Sequence, residues 1–297
     1  MLFENSYESF DCVLTLRYTA GALLESSMSS ANIFISGGAS GLGKAFVQQY
    51  AAQIHDSPGA RWPVECIIYV LDRQRKPSSV GQLAQMLELP YDSDWLDKHL
   101  VYIDADVTDA ASLPHSLAEV SVLALVIHSA GVRGLVSSVP LKQYSDVAKA
   151  ETMDVMDAET MRSTFEINSM GTFFLLRALL PALRQYARCT LGLPPAVVVM
   201  GSRMGSVGHN TELGKAYAYR ASKAALNAIV KSFSVDVPEV IWTVMHPGRV
   251  DTGLVSIKED EAMPVQQVVK ELLPLVSRLE RKDSGRFVDR FGMDIPW

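Results

Sequence analysis

The chain has 297 residues, 48% hydrophobic and 20% charged, with 27 basic and 33 acidic side chains for a formal net charge of −6. That length suits one large α/β domain or two small ones, and it buries a core without covalent staples. No block of like charge offers a footprint for a nucleic-acid backbone. Three scattered cysteines, Cys12, Cys66 and Cys189, exclude a disulfide framework and a cysteine zinc site and fit a reducing compartment. The longest apolar runs, such as 122–127 and 173–176, fall far short of the roughly 20 residues of a membrane span. The expectation is a cytoplasmic protein with no nucleic-acid, membrane or metal partner.

Residues 1–30 carry Glu4, Glu8, Asp11 and Glu25 against a single Arg17, which fits neither an Arg-rich transit peptide nor a secretory signal. They read as a loosely ordered N-terminal extension, with Met28 as an alternative start of the ordered part. From 31 to 297, no repeat, low-complexity tract or linker divides the chain. Apolar strand-like runs at 33–35, 65–71, 100–103, 122–127, 196–200 and 241–245 alternate with helical stretches at 44–54, 161–183 and 219–233. A polar stretch covers 137–160. Strands apolar on both faces, alternating with helices, predict an α/β fold: one Rossmann domain, a doubly wound parallel sheet with helices on both faces.

The first strand runs into Ser36-Gly37-Gly38-Ala39-Ser40-Gly41-Leu42-Gly43 and then a helix. Glycines allow a tight turn and close approach to a pyrophosphate, whose charge sits at the helix N-terminus. A glycine cluster alone is equally a plain turn; the flanking strand and helix favour the nucleotide loop. Asp72 ends the second strand, where a carboxylate accepts both ribose hydroxyls of NAD and repels a 2′-phosphate. Arg73 beside it could embrace that phosphate or stack on adenine, so NAD(H) is favoured and NADP(H) is open. Asp106 and Val107, after the third strand, either meet the adenine or cap the next helix.

Tyr219-Arg-Ala-Ser-Lys223 sets a phenol and an amine four apart on one helix face. Free tyrosine titrates near pH 10, so work at neutrality requires roughly 4 kcal/mol of preferential phenolate stabilisation. Lys223 and a positively charged nicotinamide would share that task. Ser202 follows a strand and could hold a carbonyl oxygen, or be a turn serine. Asn168 interrupts an apolar helix and is either a structural network residue or a holder of water for a proton relay.

With these motifs in order, residues 32–297 resemble a short-chain dehydrogenase/reductase, especially the C-factor/sniffer-like carbonyl reductase branch. Gly37, Gly41 and Gly43 match the family's coenzyme loop. Ser202, Tyr219 and Lys223 match its catalytic triad, and Asn168 its fourth member. His246-Pro247-Gly248-Arg249-Val250-Asp251-Thr252 looks like the family's Pro-Gly turn at the nicotinamide end, and Ser284-Gly285-Arg286-Phe287 with Ile295-Pro296-Trp297 like its closing strand and tail. The usual Asn-Asn-Ala-Gly is here His128-Ser129-Ala130-Gly131, in which Ala130 and Gly131 still let the backbone pass the adenosine ribose. The stretch 205–218 is longer than usual and reads as a surface excursion.

The resemblance implies NAD(P)-dependent hydride transfer between nicotinamide and a small carbonyl or alcohol, by a monomer or homo-oligomer. A catalytically silent dinucleotide sensor or scaffold is the alternative, and an epimerase or dehydratase using the coenzyme transiently is a third reading. Substrate-pocket residues are expected from 136–157, 203–217 and 253–265, with no charged clamp evident.

Overall fold

The computed structural model describes residues 31–190, 193–211, 214–257 and 261–297, so the expected extension at 1–30 lies outside the described residues. Seven strands, β1 (Asn32–Ser36), β2 (Ile68–Asp72), β3 (Leu100–Asp104), β4 (Leu123–His128), β5 (Ala196–Met200), β6 (Ile241–His246) and β7 (Arg286–Asp289), form one sheet in the order β3-β2-β1-β4-β5-β6-β7. Every neighbouring pair is parallel. Strand order reverses between β1 and β4, and the crevice at such a switch point is where doubly wound sheets bind ligands.

The sheet is buried on both faces because its strands carry apolar side chains on both. Ile33, Ile35 and Val198 point into a core with Phe46 and Ile54 of α1 (Gly41–Asp56) and Leu272 of α8 (Val265–Ser277). Phe34, Val197 and Val199 point the other way, toward Leu175 and Leu176 of α6 (Thr172–Cys189) and Leu226 and Val230 of α7 (Tyr217–Asp236). The short helices α2 (Val80–Leu87) and α3 (Ser93–His99) extend the first layer, while α4 (Leu113–Ser116) and α5 (Ala158–Phe165) precede β4 and α6 respectively.

Two expected elements differ in extent. The strand expected from 65 begins at Ile68, because the Cys66 amide turns back to the Pro63 carbonyl at 3.0 Å and leaves Glu65 exposed. The single helix expected over 161–183 is α5 and α6 joined by a π-type turn, Glu166–Gly171. A π turn offsets the backbone register by one residue and is frequent at functional sites. Here it contains Asn168.

Candidate active site

The glycine loop is shaped by what each side chain would strike. Gly37 has φ +66°, and a Cβ there would lie 2.8 Å from the Ala130 amide nitrogen. Gly41 has φ +50°, and its Cβ would approach the Thr252 carbonyl oxygen at 3.0 Å. At Gly43 a Cβ would collide with the Gly37 carbonyl. The loop is thus folded back on itself and closed against two other segments. The first turn of α1 holds no acid, and Ser40 makes no side-chain cap to it. Its amides and dipole are directed at whatever anion enters the crevice.

Asp72 sits under this loop. Its Oδ2 accepts the Ala39 amide at 3.0 Å and its Oδ1 the Gln74 amide at 3.1 Å. A carboxylate offers about four lone-pair sites, so two remain for a ligand. Arg73 is exposed at the same edge. Asp106 Oδ1 accepts the Thr108 amide at 2.9 Å and hydroxyl at 2.8 Å, the local-cap alternative raised by the sequence, while still lining the cleft beside Val107. At the far end, Gly248 (φ +88°) packs beneath Arg290, and the Asp251 amide donates to the Met263 carbonyl at 3.0 Å. Pro247, Gly248, Val250 and Thr252 line this end.

Tyr219 and Lys223 lie on α7 with their side chains buried in the same cleft, and Ser202 enters from the end of β5. Lys223 Nζ stands 5.9 Å from the Tyr219 ring centroid and donates to the Met200 carbonyl at 3.0 Å. Burial pulls the Lys223 amine down to about 8. Burial pushes the Tyr219 phenol above its ordinary 10; Arg133 is the strongest opposing influence, followed by a hydrogen bond with Ser202, and Glu151 adds to the rise. To the Lys223 ammonium expected to provide part of the phenolate's stabilisation, the structure adds the Arg133 guanidinium.

Asn168 stands behind the wall. Its Oδ1 accepts the Val132 amide at 2.8 Å, and its Nδ2 donates to the Val132 carbonyl at 2.9 Å and to Ser222 Oγ at 3.0 Å. A Cβ on Gly131 would lie 3.0 Å from Asn168 Oδ1 and 3.6 Å from Lys223 Nζ, so glycine keeps a space between the amide and the amine.

Of the site residues expected from sequence, all but Gly43 and Asn168 line one cleft of about 1550 Å³. Two features escaped the sequence. Arg133 and Glu151 form a mostly buried ion pair at 2.9 Å on the cleft wall, a charged pair where the sequence made no charged clamp evident. The stretch read as a surface excursion lines the cleft through His209, Lys215 and Ala216, in keeping with the pocket contribution expected from 203–217. It is tethered to the tail by the Gly208 amide on the Trp297 carbonyl at 3.4 Å and by Ser206 Oγ on the Pro296 carbonyl. Finally, His128 is a buried strut between Ser36 Oγ (2.6 Å) and Thr172 Oγ1 (2.8 Å), and Thr172 in turn donates to the Asn168 carbonyl at 2.7 Å. The polar residues around 128 signalled such a network, but not its partners. Among the described residues there is no cluster of metal-binding side chains, and no helix is long and apolar enough to cross a membrane.

The short chain dehydrogenase family matches residues 31–262. C-signal of Myxococcus xanthus is 38% identical over 175 residues, 58% of this chain and 92% of that protein. Among solved structures, an NADPH-bound carbonyl reductase from chicken fatty liver superimposes with a TM-score of 0.70 at 25% identity, covering 90% of this chain and 99% of its own. Carbonyl reductase Sniffer of D. melanogaster gives a TM-score of 0.69 at 25% identity, covering 91% and 100%.

Proposed function

We propose that this chain, which belongs to the short chain dehydrogenase family, works as a carbonyl reductase on a small molecule, with Ser202, Tyr219, Lys223 and Asn168 as its reacting set. It is an NAD(P)-dependent oxidoreductase. The observation that carries the residue assignment is the meeting of a buried phenol, a buried serine hydroxyl and a buried amine at the switch-point cleft.

The cradle fits a dinucleotide. Side chains at Gly37, Gly41 or Gly43 would force its backbone apart, the N-terminus of α1 faces it without an acid, and Asp72 retains acceptor capacity for ribose hydroxyls. The same carboxylate repels a 2′-phosphate, so NAD(H) is our preferred coenzyme. Arg73 is the feature through which NADP(H) would enter, and the similar carbonyl reductase from chicken fatty liver is an NADPH-bound structure. Ser40, Leu42, Asp106, Val107, Ala130 and Gly131 would flank the adenosine and phosphates, and Pro247, Gly248, Val250 and Thr252 the nicotinamide end.

Bound there, the nicotinamide supplies or accepts the hydride exchanged at a carbonyl carbon. In reduction Ser202 holds the carbonyl oxygen and Tyr219 donates the proton to it. Lys223 holds ribose hydroxyls and favours the resulting phenolate by its charge. Reprotonation runs through the space that Gly131 leaves between Lys223 and Asn168. Positioned acid–base groups of this kind contribute ~10²–10⁴ in rate.

Fluorescence titration with NADH and NADPH, followed by a reductase screen on a carbonyl panel with the tighter binder, tests the reading. Tyr219→Phe is expected to bind the coenzyme and lose turnover. Coenzyme binding with no consumption across the panel would favour the silent sensor, and turnover by Tyr219→Phe would overturn the acid assignment.

A further inference from the structure

Arg133 is held by both of its neighbours in the chain. Asn168 grips the amide and carbonyl of Val132, and Gly134, at φ +71°, is pressed so closely on Thr164 that a Cβ would clash. Between these anchors the Arg133 guanidinium lies over the face of Tyr219, with Cζ 4.7 Å from the ring centroid. Its Nε and Nη2 donate to Glu151 at 2.9–3.2 Å, and Nη1 points to the Met204 thioether at 3.0 Å. Glu151 is almost fully buried, and its carbonyl accepts the amide of Ala216, which directly precedes α7. The pair therefore braces the helix that carries the tyrosine as well as facing its ring.

We propose that the Arg133–Glu151 pair is a tuning element for Tyr219, in which the guanidinium over the ring favours the phenolate and the Glu151 carboxylate limits that effect. The proposal rests on the reading of Tyr219 as the proton donor, and it makes Arg133 and Glu151 positioning residues acting through the tyrosine. The physical basis is that ionisation spreads negative charge into the ring, so a cation over its face gains attraction to the charged form. A buried carboxylate bound to that cation weakens its field without removing it.

The groups facing Tyr219 come from four directions. They are Lys223 on its own helix, Arg133 on the loop after β4, Glu151 on the segment before α5, and the Ser202 hydroxyl after β5, while Arg220 on the same helix acts on Arg133 and Glu151. Lys223 is farther from the ring than Arg133 and spends a donor on Met200.

Arg133→Met alone strands a buried carboxylate and risks unfolding, so the test uses Glu151→Gln and the double variant Arg133→Met/Glu151→Gln. The first readout is the pH profile of carbonyl reduction. The second needs no substrate: ultraviolet titration of tyrosinate in the full-length protein, with the Tyr219→Phe titration subtracted. Glu151→Gln is expected to shift Tyr219 downward by about one pH unit, a typical effect of a charge at this range. The double variant is expected to titrate above the wild type. Opposite signs are the signature, because a merely structural role moves both variants the same way or neither. Movement in one common direction, or no movement, would overturn the proposal. If the double variant does not fold, Glu151→Gln alone decides, since an unmoved or raised titration contradicts the proposal. Turnover retained by Tyr219→Phe would instead remove the acid reading while leaving the tyrosinate titration to judge the tuning.

Discussion

Asp72 and Ala39 are joined by a 3.0 Å hydrogen bond from the Ala39 amide to the Asp72 carboxylate. The residue expected to read the coenzyme's ribose thus also braces the glycine loop that would hold its phosphates. The second oxygen does the same for the Gln74 amide. Loop shape and the proposed coenzyme preference thus rest on one side chain.

Asp72→Ala is therefore expected to act twice. It removes the acceptors of two backbone donors, lowering stability by about 1–3 kcal/mol, and it narrows the preference for NADH over NADPH. Denaturant midpoints and paired coenzyme titrations measure the two effects separately. An unchanged NADH/NADPH affinity ratio would exclude Asp72 as a ribose reader.

Gly43→Ala is expected to disable coenzyme binding although Gly43 does not line the cleft. Its Cβ would strike the Gly37 carbonyl, a backbone atom that yields only if the whole loop moves. Overpacking of this kind costs about 1–3 kcal/mol. Thermal unfolding and NADH titration should both register it; normal affinity would show the loop to be more pliant than its contacts imply.

Lys223→Met is expected to gain stability and lose turnover. The folded amine titrates at about 8, below its ordinary 10.5, because burial penalises its charge. Between those values the unfolded chain binds more protons than the folded one, so the burden grows as pH falls toward 8 and is full below it. The variant's advantage in denaturation should be largest below pH 8 and shrink as pH rises. A destabilised variant at neutral pH would mean the bond to Met200 outweighs the desolvation.

Acid should weaken the fold through His128. Burial pulls its imidazole from 6.5 to about 3, and His246 behaves similarly, at about 4. The unfolded chain takes up protons in these windows while the folded chain does not. Stability therefore falls as pH drops from 6.5, at up to ~1.4 kcal/mol per pH unit for each histidine. His128→Asn should flatten this slope in part, with His246 supplying the remainder. It should also lower stability at neutral pH, because a shorter side chain cannot span from Ser36 to Thr172. Denaturant unfolding across pH 4 to 7 checks both expectations.

The sheet was legible because a strand such as Asn32–Ser36, buried at every position, announces a parallel sheet covered on both faces. Gly37, Gly41 and Gly43 were legible through local backbone requirements, and Tyr219 with Lys223 through the pitch of one helix. Asn168 could be singled out as a polar residue among apolar ones, but its clamp on Val132 could not.

Local spacing and chain order alone determined the strand–loop–helix cradle and the phenol–amine pair, since both depend on short stretches of backbone. The tertiary structure decided the charge around that phenol. Arg133 and Glu151 are 18 residues apart with no periodic relation, and they meet only where the loop after β4 packs against the segment leading into α5. An electrostatic field sums over groups close in space, wherever they lie along the chain.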